Sequence, residues 1–400
     1  MKTFLSYLNE EAEDSKLKHI HHAEDRPLFH GADGFEHAHA ALMHAHDHMR
    51  HGENNSNLTM KYDGSPSIVF GHHPETKKFF VATKSAFNKT PKINYTHDDI
   101  EKNHGHAPGL VGKLKSALTH LPKVSPKKGV YQADLMHTPE DHKDSHLNED
   151  TTKPVSFTPN TITYTAHGPE AAKVKKSKVG LVVHTQYHGN DITSMKASPH
   201  PDYNAFKDHP DVHLKTAEHD TSKIKYPAHE QDKFKKHMDA AKNIHDTHHK
   251  EMYPSTAKHQ GETGHLSTYI NHTVRHDEVP SASGLQKHIT DKLTKAASKL
   301  KTQKSIDAKH AEIKDHVDHI EKNKSHYDNL LTMHHHLQQA KNTLVNSLET
   351  HEGGLSHHID GKKSKPEGFV INHEHNGKTE PTKLVNRAEF AKANLLKVRK

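Results

Sequence analysis

Apolar positions along the chain follow two different periods, and the switch between them divides it. From residue 57, "LTMKYDGSPSIVFG", the polar "HHPETKK" and "FFVATKSAF" set β-branched and aromatic residues in short runs around a turn, which predicts strand, turn, strand. "KKGVYQADLM" (127–136), "NTITYTA" (160–166) and "KVGLVVHTQY" (178–187) predict three more strands. Among them, "PGLVGKLKSALTHL" sets Leu110, Leu114 and Leu118 four apart, the spacing of one helix face. Residues 137–160 are polar, with Pro and Asp, and read as loop.

From about residue 200 the period lengthens. "SGLQKHITDKLTKAASKL" places Leu285, Ile289, Leu293 and Leu300 at helical spacing. Ile313, Val317, Ile320, Tyr327, Leu331 and Leu337 continue it, as do Leu344 and Leu348, until Gly353-Gly354 stops it. Strand character returns in "PEGFVINHE" (366–374) and "PTKLVN" (381–386), and "RAEFAKANLLKVRK" closes as a short helix. Residues 1–55 read as helical, with loops at Pro27 and Gly31–Gly34, and with Phe4, Leu5 and Leu8 on an amphipathic helix. No fixed-period repeat is present. The pattern predicts an N-terminal helical segment (1–55), one β-rich domain built from 56–204 and 353–400, and a helical, basic insert (205–352) spliced into it.

Composition narrows the chemistry. Only 31% of the residues are hydrophobic and none is Trp, so one well-packed domain with polar helical segments is expected rather than a dense core throughout. The absence of Cys excludes thiolate nucleophiles, cysteine zinc sites and disulfides. No apolar run approaches the ~20 residues of a membrane span, so no membrane partner is expected. The opening "MKTFLSYLNEEAEDSK" does not read as a signal peptide. A formal charge of +6 over 400 residues is too mild to predict nucleic-acid binding by itself. The 48 histidines are dispersed, with a cluster in "HAHAALMHAHDHMRHG". His44 and His48 have metal-ligand spacing on a helix, but at this abundance such pairs arise by chance. They read as a bias on solvated helix faces that raises the charge below about pH 6.5.

The polar residues on the predicted strands carry the sharper signal. Alternation puts Lys61 and Asp63 on one face, and Gln132 and Asp134 on one face of theirs. Lys84 ends a strand, Glu367 opens one and Lys383 lies in another. Three lysines and two or three carboxylates on one sheet face suit a triphosphate with a divalent metal, since lysine binds phosphate as a point charge and carboxylates hold Mg²⁺.

In this order the motifs resemble the covalent nucleotidyltransferase superfamily of polynucleotide ligases and mRNA capping enzymes. "KYDG" resembles its first motif, K-x-D-G, with Gly64 in the turn. "FFVATKS" resembles the following strand, "GVYQADLM" the third motif, "KVGLVVHTQY" the strand lining the base pocket, "PEGFVIN" the fourth motif and "TKLVN" the lysine-centred fifth. "KYDGS" and "TKS" are most similar to phage RNA ligases, and the layout to ligase-like proteins of large tailed phages. The likeness covers about 57–190 and 355–400.

The resemblance implies an α+β fold: a nucleotidyltransferase domain of the ATP-grasp-like ligase adenylation type, with antiparallel sheets and flanking helices, plus the helical insert. It implies ATP and Mg²⁺ as cofactors. Lys61 would be the nucleophile forming a lysyl–nucleotide phosphoramidate. Lys84 and Lys383 would supply positive field, Lys383 also holding the α-phosphate. Asp63 would position Lys61 or join Glu367 at the metal, and Asp134 would sit near the ribose. His184 or Tyr187 would stack on the base. Two positions depart from the pattern: Pro66 stands where a base often follows K-x-D-G, and Val385 stands where the fifth motif has a second lysine. The short stretch after that motif leaves no room for a C-terminal OB domain, which favours RNA over nicked or single-stranded DNA as partner. Lys287, Lys292, Lys295, Lys299 and Lys301 would grip phosphates. The expected protein is thus an ATP-dependent ligase-like enzyme, acting as a monomer in the cytoplasm (the host's, if phage-encoded). A GTP-using or other-acceptor nucleotidyltransferase, and a non-catalytic nucleic-acid-binding or virion relative, are the alternatives.

Overall fold

The computed structural model describes residues 20–52, 57–143, 153–257 and 262–387. They form two compact units. The first holds the described residues of 54–220 and 351–370, the second those of 20–53, 221–350 and 371–400. The fold is mixed α and β, with antiparallel sheets and several helices. The N-terminal amphipathic helix (Phe4, Leu5, Leu8) and the closing helix after Arg387 lie outside the described residues.

The first unit contains β1 (Leu58–Lys61), β2 (Ser67–His72), β3 (Phe79–Ala82), β4 (Val130–His137), β5 (Val155–Phe157), β6 (Thr163–Ala166), β7 (Val179–His188), β8 (Lys196–Ser198), β9 (Val212–Thr216), β10 (Leu355–Ile359), β11 (Lys362–Lys363) and the start of β12 (Gly368–His375). The main sheet runs β3-β2-β4-β7-β8, antiparallel throughout, and β9 adds to β7 in parallel. A second, antiparallel sheet runs β11-β10-β6-β5. β1 lies beside the start of β12, where Thr59 Oγ1 donates to the Val370 carbonyl at 3.3 Å. On its other side Met60 N–H donates to Ala217 O at 2.7 Å.

Alternation decides what each face of the main sheet meets. Ile68, Phe70, Tyr131, Ala133, Leu135 and Leu181 point to one side and pack on Val111, Leu114 and Ala117 of the helix Pro108–His120. Burying each large aliphatic or Phe side chain among them contributes roughly 1.5–3 kcal/mol. Ser67, Gln132 and Asp134 take the other side. Thr96 caps the helix His97–His104 through the Asp99 N–H, with Asp99 completing the capping box.

Polar order also reaches inside. His142 Nε2 lies 3.0 Å from His137 Nδ1, His137 Nε2 3.0 Å from His213 Nδ1, and His213 Nε2 3.1 Å from Glu170 Oε1. The three histidines are buried. The bond from His213 holds the Glu170 carboxyl down at about 2 against its burial, helped by the Lys215 ammonium at 2.9 Å.

The second unit is built from the helices Arg26–His51, Ala228–Ala257, Glu262–His276, Ala282–Ala297, Gln303–Lys322 and Lys324–Leu348, with a hairpin from the end of β12 into β13 (Lys378–Leu384). Helices Ala228–Ala257 and Lys324–Leu348 pack along each other and bury Phe234, Met238, Leu331, Leu337 and Leu344. Ser281 and Thr302 cap their helices, accepting from Gly284 N–H at 3.1 Å and Ser305 N–H at 3.3 Å. Glu24 and Lys341 form a wholly buried ion pair. Beside it Asp25 accepts from His334 at 3.0 Å and from both Arg387 nitrogens at 3.0 and 2.6 Å.

Four expectations change. Pro27 starts a helix rather than a loop, because proline fits the first turn, where its missing N–H costs nothing. The break comes at Gly31, whose φ of 60° is open to glycine. Residues 137–160, read as loop, hold β5, and the helical stretch after 205 first holds β9. The strand predicted from residue 57 is two strands, parted by Tyr62–Pro66.

Candidate active site

β1 ends at Lys61, and its ammonium sits on the carboxylate of Glu367, the residue just before β12. Lys61 is one-third exposed, while Glu367 is only 15% exposed. Burial raises the Glu367 carboxyl above its ordinary value; Lys61 opposes the rise, and the charges of Asp63 and Asp134 add to it. Glu367 therefore faces one cation and two further carboxylates.

Asp134 reaches the same group from β4, opposite Ser67 of β2. Burial alone would raise its carboxyl. His184 of β7, 3.6 Å away, Lys61 and the Ser67 hydroxyl together hold it below the usual value. His184 is half-buried and shares its Nδ1 with Thr185 Oγ1 at 2.8 Å.

The turn after Lys61 is pressed onto β4. A Cβ on Gly64 would lie 2.6 Å from Asp134 Cβ and 3.0 Å from Met136 Sδ, so only glycine fits. Ser65 N–H donates to the Leu135 carbonyl at 2.9 Å. Asp63 does not share a strand face with Lys61, because the strand has already ended. Its buried carboxylate accepts from Asn160 Nδ2 at 2.8 Å and from the Thr161 and Ile162 N–H groups at 2.6 and 2.9 Å. Its own N–H donates to the Tyr164 hydroxyl at 2.7 Å. Asp63 thus ties the lysine turn to the strand β6.

Among the described residues, the three carboxylates do not gather into a ready three-ligand metal cage. Mg²⁺ rarely needs one, since it keeps several waters and takes one or two carboxylates. Glu367 and Asp134 are the oxygens left for it once Asp63 is occupied.

Residues 15–399 match a protein family of unknown function, DUF6267. The chain belongs to that family. No curated protein and no solved structure matches it.

The remaining expected residues of this DUF6267 protein take other local settings. Lys84 does not end a strand: β3 stops at Ala82, Thr83 caps a short 3₁₀ helix, and Lys84 is its exposed first residue. Lys383 lies half-buried in β13 of the second unit, its N–H donating to the His21 carbonyl at 3.0 Å. Val385 is buried, so the position of the expected second lysine is an apolar one. Tyr187 is core: it is 2% exposed and its hydroxyl donates to Gln132 Oε1 at 2.5 Å.

One cation beside the lysine turn leaves no mark in the pattern. Lys113, on the helix Pro108–His120, reaches the Ser65 carbonyl at 3.4 Å and Asp141 at 3.6 Å. Its sequence signal is indistinct from that of any lysine on a solvated helix face. No helix among the described residues is long and apolar enough to cross a membrane.

Proposed function

We propose that this protein is an ATP-dependent, Mg²⁺-requiring nucleotidyltransferase of polynucleotide ligase type, with RNA the favoured substrate and Lys61 the nucleophile. The observation that carries the reading is the Lys61–Glu367 pair, partly open to solvent and ringed by Asp134, His184 and the glycine turn. A nucleophilic lysine needs a partner that orients it and takes up its proton, and a carboxylate whose proton affinity is raised by burial suits that role.

Lys61 Nζ would attack the α-phosphorus of ATP. The N–P bond forms, the P–O bond to pyrophosphate breaks, and the ammonium proton passes to Glu367. The nucleotide then moves from Lys61 to a 5′-phosphate end, and attack by a 3′-hydroxyl joins the ends with release of AMP. Asp134, together with waters, would hold Mg²⁺, whose charge neutralises the triphosphate, leaving Glu367 to take the lysine proton. Lys113 would add positive charge beside the turn. For nucleic acid, the exposed Lys287, Lys292, Lys295, Lys299 and Lys301 of the second unit offer phosphate contacts without sequence preference.

The test is labelling with each α-³²P nucleotide and Mg²⁺, after pyrophosphate treatment to discharge any nucleotide already attached. An acid-labile, alkali-stable label from ATP, absent in Lys61→Ala, is expected. A label from GTP alone would change the donor base. No label from any nucleotide would overturn the reading in favour of a non-catalytic nucleic-acid binder.

A further inference from the structure

The helical unit holds a second constellation that this reading leaves unused. His265 stands near the start of the helix Glu262–His276, and Glu312 and His316 lie four apart, on one face of the helix Gln303–Lys322. One ring nitrogen from each histidine and one carboxylate oxygen lie within 4.8 Å of one another. Among the described residues this is the one cluster of three such ligands at that spacing. Both histidines are buried, at 9% and 4% exposure, and their rings meet edge to face with centroids 4.7 Å apart.

We propose that His265, Glu312 and His316 bind Zn²⁺ and so cross-link two helices of this unit. Two imidazoles and one carboxylate are the donor set of three-ligand zinc sites, which leave a fourth position for water. Imidazole suits zinc and its first-row neighbours and disfavours Mg²⁺ or Ca²⁺. A tetrahedron with bonds near 2.0–2.1 Å sets its ligand atoms about 3.3 Å apart, so separations of up to 4.8 Å must close by up to about 1.5 Å. Glu312 is partly exposed and has the freedom to do this. Its present partner is Lys309 at 2.5 Å, one turn away on the same helix. Such a surface pair is weak and yields to a dication.

With 48 histidines the chain will also take up zinc loosely elsewhere, so the test must resolve one tight equivalent from that background. Full-length protein stripped with a chelator is titrated with Zn²⁺ against a competing chromophoric chelator. The wild type should show one equivalent at least tenfold tighter than the rest. His265→Ala and His316→Ala should lose it, Glu312→Gln should weaken it about tenfold, and His229→Ala, at a side chain 76% exposed, should leave it intact. Co²⁺ in that equivalent should give the visible absorption of a tetrahedral site. A tight equivalent that survives in His316→Ala, or no equivalent tighter than the background, overturns the proposal. If a histidine variant fails to fold, X-ray absorption on zinc-loaded wild type decides: two imidazoles with oxygen ligands support the site, and a purely imidazole shell refutes it.

Discussion

Replacing Asp63 distinguishes a structural anchor from a metal ligand. In the K-x-D-G motif that "KYDG" resembles, the acid is expected to position the lysine or join the metal, yet here its carboxylate accepts three hydrogen bonds from 160–162. Asp63→Ala removes all three and leaves the N–H groups of Thr161 and Ile162, both buried, without acceptors. Each stranded donor costs about 1–3 kcal/mol, and the lost charge-assisted bond to Asn160 adds about 1–2. The expected loss is about 3–8 kcal/mol, a fall in melting temperature on the order of 10 °C or more for the first unit. Asp63→Asn keeps the shape. Its oxygen can still serve the two backbone donors, and Asn160 can turn its own amide oxygen towards the new NH₂, so only about 1–2 kcal/mol should be lost. The chain has no Trp, so unfolding is best followed by circular dichroism. Lys61 labelling should track the folded fraction in both variants. The reasoning fails if Asp63→Ala melts within 2 °C of wild type, or if both variants keep their stability and lose labelling equally, as a metal ligand would require.

Other perturbations probe separate parts of the molecule. Gly64→Ala drives a methyl group into β4 and should cost about 1–3 kcal/mol while reducing Lys61 labelling at least tenfold through displaced Asp134. Glu367→Gln removes the charge that orients Lys61 and should slow labelling about a hundredfold at unchanged melting temperature; labelling at the wild-type rate would sink the assignment. Lys341→Met strands Glu24 in the core and should cost about 3–5 kcal/mol in urea, much of it recovered when Glu24→Gln is added. Acid should also destabilise both units. Burial, their largest influence, holds His37 to about 2 and His357 and His373 to about 4, and pushes His137 well below its ordinary value. The unfolded chain takes up these protons below about pH 6.5 and the folded chain does not. Stability is therefore full above that pH and falls between 6.5 and 4, by about 1.4 kcal/mol per pH unit for each histidine. Melting temperatures equal at pH 7 and pH 5 would contradict this.

Much of the first unit could be read from alternation alone. "VYQADLM" is a strand with Tyr131, Ala133 and Leu135 inward and Asp134 on the opposite face. Alternation fails where tertiary contacts take over. Lys61 and Asp63 are two apart, but their shared face required a strand through Tyr62, and the chain turns there because Gly64 and Ser65 dock on β4. Lys84 left the strand because Thr83 caps a 3₁₀ turn, a local competition invisible to period counting. β5 and β9 leave no trace in the pattern because a three-residue strand has no period and "VHLKT" lies amid charged residues. His265 and His316 carried no usable signal: in a chain this rich in histidine, only folding identifies the ones that meet.

The buried histidine line from His142 to Glu170 also fixes where its protons are. Glu170 is a carboxylate and can only accept, so His213 must carry its hydrogen on Nε2 and present a bare Nδ1. His137 must then donate from Nε2, and His142 likewise. Three rings are set to one tautomer by a single carboxylate at the end of the row, so no ring can change over without its neighbours. Removing that charge in Glu170→Gln would let the polarity of the row reverse, a collective two-state change that imidazole ¹⁵N shifts would register at rings with no direct contact to the altered residue.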